Sequence, residues 1–135
     1  KGKKCFVFTK LIIIFAELRD KNADMITFQL VFMEEAKNFL QSLPEQAYKK
    51  VLYNMDRVAG GERNRELFKK LENSDIWEFR TLYNGISYRL FAFWDTDKQT
   101  LVIATHGLIK KTQKTPKKEI AKAEAIMKQY FELKR

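Results

Sequence analysis

The chain has 135 residues, 45% of them apolar and 32% charged, and a formal net charge of +9. That length supports one hydrophobic core rather than two, and the composition excludes a disordered or collagen-like chain. The positive excess points to a polyanionic partner, nucleic acid ahead of an acidic protein surface or a membrane, and says little about fold.

Residues 1–24 differ in character from the rest of the chain. The apolar run Leu11-Ile-Ile-Ile-Phe-Ala16, even extended back to Cys5, is broken by Lys10. It falls short of the roughly 20 residues a bilayer span needs, and no small-residue cleavage site follows it. Cys5 is the only cysteine, which excludes an internal disulfide and a Cys-rich zinc site and suits a reducing cytoplasm.

A cleaner pattern opens at Met25. Ile26, Phe28 and Leu30 alternate with polar residues up to Phe32, as in a half-buried strand. Ala36, Phe39, Leu40 and Leu43 then recur at helical spacing over Glu34 to Leu43. Pro44 ends that helix and suits the first turn of the next, Glu45 to Ala59. Tyr48, Val51, Leu52, Met55 and Val58 share one face of this second helix, and Gly60-Gly61 provides its left-handed ending. Leu67, Phe68 and Leu71 predict a further helical turn or two within Asn64 to Asn73, and Asn73-Ser74-Asp75 reads as a turn.

Two aromatic-rich runs, Ile76 to Tyr83 and Ile86 to Trp94, flank Asn84-Gly85, a strong hairpin signal. A polar turn at Asp95 to Gln99 leads to a third strand, Thr100 to Ile109, completing an antiparallel meander. Thr115 and Pro116 read as N-cap and first position of a last helix, with Glu119 in its first turn. Ile120, Ala123, Ile126, Met127, Tyr130 and Phe131 form its apolar face. These elements predict an α+β domain: an antiparallel sheet of an N-terminal strand plus a three-stranded meander, an N-terminal helical hairpin and a C-terminal helix, with the helices on one side.

Period-2 spacing puts Glu78 and Arg80 on one face of their strand, and Ser87, Arg89 and Phe91 on one face of the next. On the third strand the same rule groups Thr100, Val102, Ala104 and His106. Arg80, Arg89 and His106 on one side of the sheet would make a basic surface rimmed by Lys110, Lys111 and Lys114. An arginine within an apolar strand needs partners for its donors, and Arg89 has no carboxylate in its own strand. The bland reading of each arginine is a side chain snorkelling to water, and that of His106 is a core histidine bonded to backbone. Lys110, Lys111, Lys114, Lys117 and Lys118 have no acid among them before Glu119, which resembles a polyanion footprint more than a mixed surface.

One histidine and one cysteine leave no usual zinc set, and there is neither a Gly-rich phosphate loop nor a Gly-x-Ser-x-Gly elbow. Any catalysis would therefore be metal-free phosphoryl chemistry run by arginine, lysine and one histidine. RNA suits it, because the 2′-hydroxyl is an internal nucleophile that need only be aligned.

The order of elements, with Leu71, Ile76-Trp-Glu-Phe-Arg80, Tyr88-Arg89, His106-Gly-Leu108 and Lys110-Lys-Thr-Gln-Lys-Thr-Pro116, resembles the RelE/HigB toxins of bacterial type II toxin-antitoxin systems, and most of all their phage-derived branch. The resemblance covers about Met25 to Phe131. It implies a compact RNase-like domain, 25–135, that enters the ribosomal A site and cuts mRNA without metal or small-molecule cofactor. It also implies silencing by a cognate helix-turn-helix antitoxin, and no membrane partner. Residues 1–24 then become an upstream-start or cloning-derived extension, whose removal leaves the domain at +6.

Carried over by position, Arg80 falls on the family's basic residue of the first meander strand and Arg89 on its phosphate-binding arginine. Lys110 or Lys111 supplies the basic group after the last strand, as leaving-group acid or transition-state clamp, and His106 acts as general base or positions substrate. Lys114, Lys117 and Lys118 would hold RNA phosphates. Better-known members carry a base-stacking aromatic shortly after the last strand, whereas here none lies between His106 and Tyr130. The competing expectations are a same-fold ParE-like toxin that binds a protein such as DNA gyrase without nuclease activity, and a noncatalytic RNA-binding module.

Overall fold

In the computed structural model, residues 29–98, 101–110 and 114–134 are described. The extension 1–24 with Cys5, the strand start at 25–28, Gln99 and Thr100, and Lys111 to Gln113 of the lysine motif lie outside them. The elements run β1 (Gln29–Phe32), α1 (Glu34–Ser42), α2 (Glu45–Ala59), β2 (Phe68–Lys70), β3 (Trp77–Tyr83), β4 (Ile86–Asp95), a 3₁₀ turn (Thr96–Lys98), β5 (Leu101–Lys110) and α3 (Lys117–Leu133).

The five strands lie in the order β1-β5-β4-β3-β2. The meander β3-β4-β5 is antiparallel, as expected, but β1 pairs parallel with β5, from Gln29 opposite Leu101 to Phe32 opposite Ala104, so the sheet is mixed. Asn84 and Gly85 take φ of 53° and 78° at the β3–β4 turn, the positive values a tight hairpin requires. Gly61 reaches φ 103° just after α2, the left-handed ending read from Gly60-Gly61.

Of the segment Asn64 to Asn73, expected to add a helical turn or two, the start makes one turn, with the Leu67 and Phe68 N–H groups both donating to the Asn64 carbonyl at 3.0 Å, but Phe68–Lys70 forms β2 instead. Phe68 pairs with Phe79, and its ring lies 4.8 Å from Trp77 and 4.4 Å from Phe79. Burial of aromatic area against β3 outweighs a weak local helical spacing.

Helices cover both faces of the sheet rather than one. Phe79, Leu90, Ala92, Val102 and Ala104 pack with Ala36, Leu40, Val51, Leu52 and Met55 of α1 and α2. The alternate residues Phe91, Phe93 and Ile103 pack with Ala123 of α3, flanked by Ile120, Met127 and Tyr130. Period-2 alternation makes these two clusters opposite faces. Over Phe91 to Phe93 and Val102 to Ala104 both faces of the sheet are therefore apolar, and only farther along, at Glu78, Arg80, Ser87 and Arg89, does the α3 face turn polar.

Candidate active site

The site is built on the α3 face of the three central strands. In the ladders Lys69 stands opposite Glu78, Arg80 opposite Arg89, and Ser87 opposite Lys110. Opposed residues share a face, so two arginines, two lysines and a carboxylate converge there.

His106 reaches the same face by a departure from strand regularity. Leu90 pairs with Gly107 and Ala92 with Ala104, so Thr105 and His106 together oppose the single residue Phe91, as in a β-bulge. The extra residue reverses alternation: Val102 and Ala104 face α1 and α2, while the His106 ring lies 4.8 Å from Phe91 on the α3 side. The expected common face for Val102, Ala104 and His106 is thus corrected, and Thr100 lies outside the described residues.

Gly107 is required by close approach. A Cβ on it would overlap the ring of Phe39, which α1 lays across β5.

Glu78 is the hub. Its side chain is fully buried, its Oε1 accepts from Arg89 Nη1 at 2.8 Å, and Arg80 Nε lies 3.6 Å from the same oxygen. Thr115 Oγ1 donates to the other oxygen, Oε2, at 2.6 Å, and accepts from Lys110 Nζ at 3.4 Å. Thr115 does not cap the last helix as expected: the N-cap is Pro116, and the hydroxyl is committed to Glu78. Arg89 Nε also donates to Ser87 Oγ at 2.8 Å.

The cations feel this burial. Arg89, 3% exposed, is pushed below the ordinary arginine value by desolvation, with the charge and hydrogen bond of Glu78 opposing the fall. Lys110, 6% exposed, is lowered from 10.5 to about 8 by burial first and then by the Arg89 charge, with Glu78 opposing. Lys110 is therefore mostly protonated at neutral pH yet close to releasing its proton.

His106 serves the edge of this group. Its Nε2 lies 3.2 Å from Glu119 Oε1 and its Nδ1 3.2 Å from Thr105 Oγ1, which donates to the Phe91 carbonyl at 3.1 Å. Burial pushes its pKa below the ordinary value, against the hydrogen bond to Glu119. The ring ties the first turn of α3 to β5.

Among the predicted site residues, Arg80, Arg89 and Lys110 are brought together, and His106 is on the same face with partners of its own. Lys114 and Lys117 line a cavity of about 480 Å³ beside Thr115, Lys118 is exposed on α3, and Lys111 lies outside the described residues. Sequence reasoning missed Glu78 as partner of Arg89, and also Thr115 and Lys69. The Glu78–Arg80 spacing was visible, but only register sets Glu78 diagonally across from Arg89. Among the described residues, no three His, Cys, Asp or Glu side chains group to hold a metal ion, and no helix is long and apolar enough to cross a membrane.

The family described as phage derived protein Gp49-like (DUF891) matches residues 38–128. Among solved structures, the toxin-antitoxin complex RelBE2 from Mycobacterium tuberculosis contains a chain 22% identical, with a TM-score of 0.42, covering 63% of this chain and 100% of its own. No curated protein matches the chain.

Proposed function

Since the chain belongs to the phage-derived Gp49-like family of RelE/HigB-type toxins, we propose that it is a ribosome-dependent mRNA endoribonuclease, working without a metal and silenced by a cognate helix-turn-helix antitoxin. The observation that carries this reading is the convergence of Arg80, Arg89 and Lys110 on the Glu78–Thr115 pair.

Such a set covers each requirement of RNA transesterification. The 2′-hydroxyl attacks the adjacent phosphorus, forming the O2′–P bond, and its proton passes through the Thr115 hydroxyl to the Glu78 carboxylate. Arg80 and Arg89 neutralise the charge gathering on the phosphoryl oxygens, the kind of electrostatic stabilisation that contributes most to such barriers. The P–O5′ bond breaks and Lys110 hands its proton to the leaving oxygen, leaving a 2′,3′-cyclic phosphate and a 5′-hydroxyl. A donor with a pKa of about 8 suits that role near neutral pH. His106 acts here as a positioning residue, holding α3, and with it Thr115, against the sheet.

The test is primer extension on an mRNA in reconstituted translation, with and without ribosomes, comparing wild type with Arg80→Ala and Lys110→Met. Cuts that need ribosomes and vanish in both variants support the assignment. A folded wild type that arrests growth but cuts no RNA would move it to a ParE-like toxin acting on a protein.

A further inference from the structure

We propose that the cavity beside Thr115 is the subsite for the nucleotide flanking the scissile phosphate, and that it selects the base there. This deepens the nuclease reading and rests on it. The cavity lies between the β2–β3 turn and the first turns of α3. At about 480 Å³ it falls within the roughly 300–1,000 Å³ of small-ligand sites, room for a nucleotide but not for folded RNA.

Two residues join it to the catalytic group. Thr115 is part of its wall and donates to Glu78. Lys69, also in the lining, stands across the ladder from Glu78, and its charge helps to lower Lys110. A phosphate held by these residues would therefore lie beside the cluster.

The lining divides by chemistry as a nucleotide does. Leu71, Ile120 and Ala121 give the lining apolar side chains for a base, in a chain whose sequence has no aromatic between His106 and Tyr130 to stack on one. Lys69, Lys114 and Lys117 bring positive charge for the backbone, reinforced by the positive end of α3. Asn73, Glu72 and Glu124 offer groups to a base edge. The Glu124 carboxylate is held in place by Ser74 Oγ at 2.7 Å.

Carboxylates accept and do not donate, so the subsite favours a base carrying an exocyclic amino group. Guanine, with an amino group beside a ring N–H, fits best, and uracil, with a single N–H, fits worst.

Two measurements separate this inference from the nuclease assignment. The first is NMR titration of the full chain with a 2′-O-methylated trinucleotide, which cannot be cut, in wild type and Ala121→Phe, with circular dichroism confirming that the variant folds. Shifts centred on Asn73 and Ala121 that are lost in Ala121→Phe are expected. Shifts elsewhere, or none at millimolar trinucleotide, would overturn the subsite. The second is the base distribution at cut sites in ribosome-bound mRNA, for wild type and Glu72→Gln, an exposed position that keeps the test usable if Ala121→Phe unfolds. A bias against uracil that weakens at least threefold in Glu72→Gln is expected. Efficient cutting with no bias in wild type overturns the subsite and leaves the nuclease standing, whereas binding in the cavity without cutting by wild type overturns the nuclease and reduces the cavity to a nucleotide-binding site with no scissile phosphate beside it.

Discussion

Glu78 and Arg89 form an ion pair across β3 and β4, Oε1 to Nη1 at 2.8 Å, with 0% and 3% of their side chains exposed. Removing one partner of such a buried pair strands the other charge in a medium that solvates it poorly, at a cost of about 3–5 kcal/mol. Glu78→Ala should therefore lower the urea midpoint strongly, and Glu78→Ala with Arg89→Met should recover part of the loss. Equal stability of Glu78→Ala and wild type would mean that the pair contributes nothing.

Lys110 titrates near pH 8 in the folded chain against 10.5 when free. The unfolded state then binds more protons between these values, so stability rises with pH from about 8 to about 10.5. Lys110→Met should abolish that rise in thermal melts. As leaving-group acid, Lys110 must be protonated, so cleavage should fall as pH climbs through about 8, and Lys110→Met should cut the rate by roughly 10²-fold or more at pH 7. A wild-type rate that is flat to pH 9 would remove Lys110 from that role.

His106 is lowered by burial, with Glu119 and Glu35 opposing and Lys122 adding to the fall. The unfolded imidazole binds its proton more tightly, so stability should be lost as pH drops below the free value of about 6.5 toward the folded one. In His106→Gln the melting temperature should vary less between pH 7 and pH 5, while being lower at pH 7 by an amount matching about 1–3 kcal/mol for the disrupted buried contacts. An unchanged pH dependence would show that the imidazole does not titrate there.

Gly107 leaves no room for a Cβ beneath Phe39. Gly107→Ala should cost about 1–3 kcal/mol through overpacking, and Phe39→Leu should be less damaging in that background than in wild type. A double-mutant cycle by denaturant unfolding measures the coupling, and additivity within error would contradict the steric account.

The proposed function gives Lys114 and Lys117 the task of holding RNA phosphates. Lys117→Ala should weaken binding of a single-stranded RNA similarly for all sequences and reduce the slope of log K against log salt by roughly 0.7, one contact's share. Fluorescence anisotropy at several salt concentrations measures this, and an unchanged slope would take Lys117 out of the interface.

Local chemistry made much of this protein readable from its residues alone. The stripe from Tyr48 to Val58, the stop at Pro44, the positive-φ pair Asn84-Gly85 and the amphipathic run after Pro116 depend on neighbours within a few positions. The helical hairpin, the meander, the last helix and the clustering of Arg80 with Arg89 are consequences of them.

The tertiary structure decided what depends on partners far along the chain. Whether β1 runs parallel to β5, whether Phe68 joins β3 or a helix, and which face His106 takes after the bulge are settled by pairing and burial, to which periodicity is blind. The same holds for the site. Residues 37 positions apart meet in the Thr115–Glu78 hydrogen bond, and the buried carboxylate that holds Arg89 in place is specified only by the register of β3 on β4.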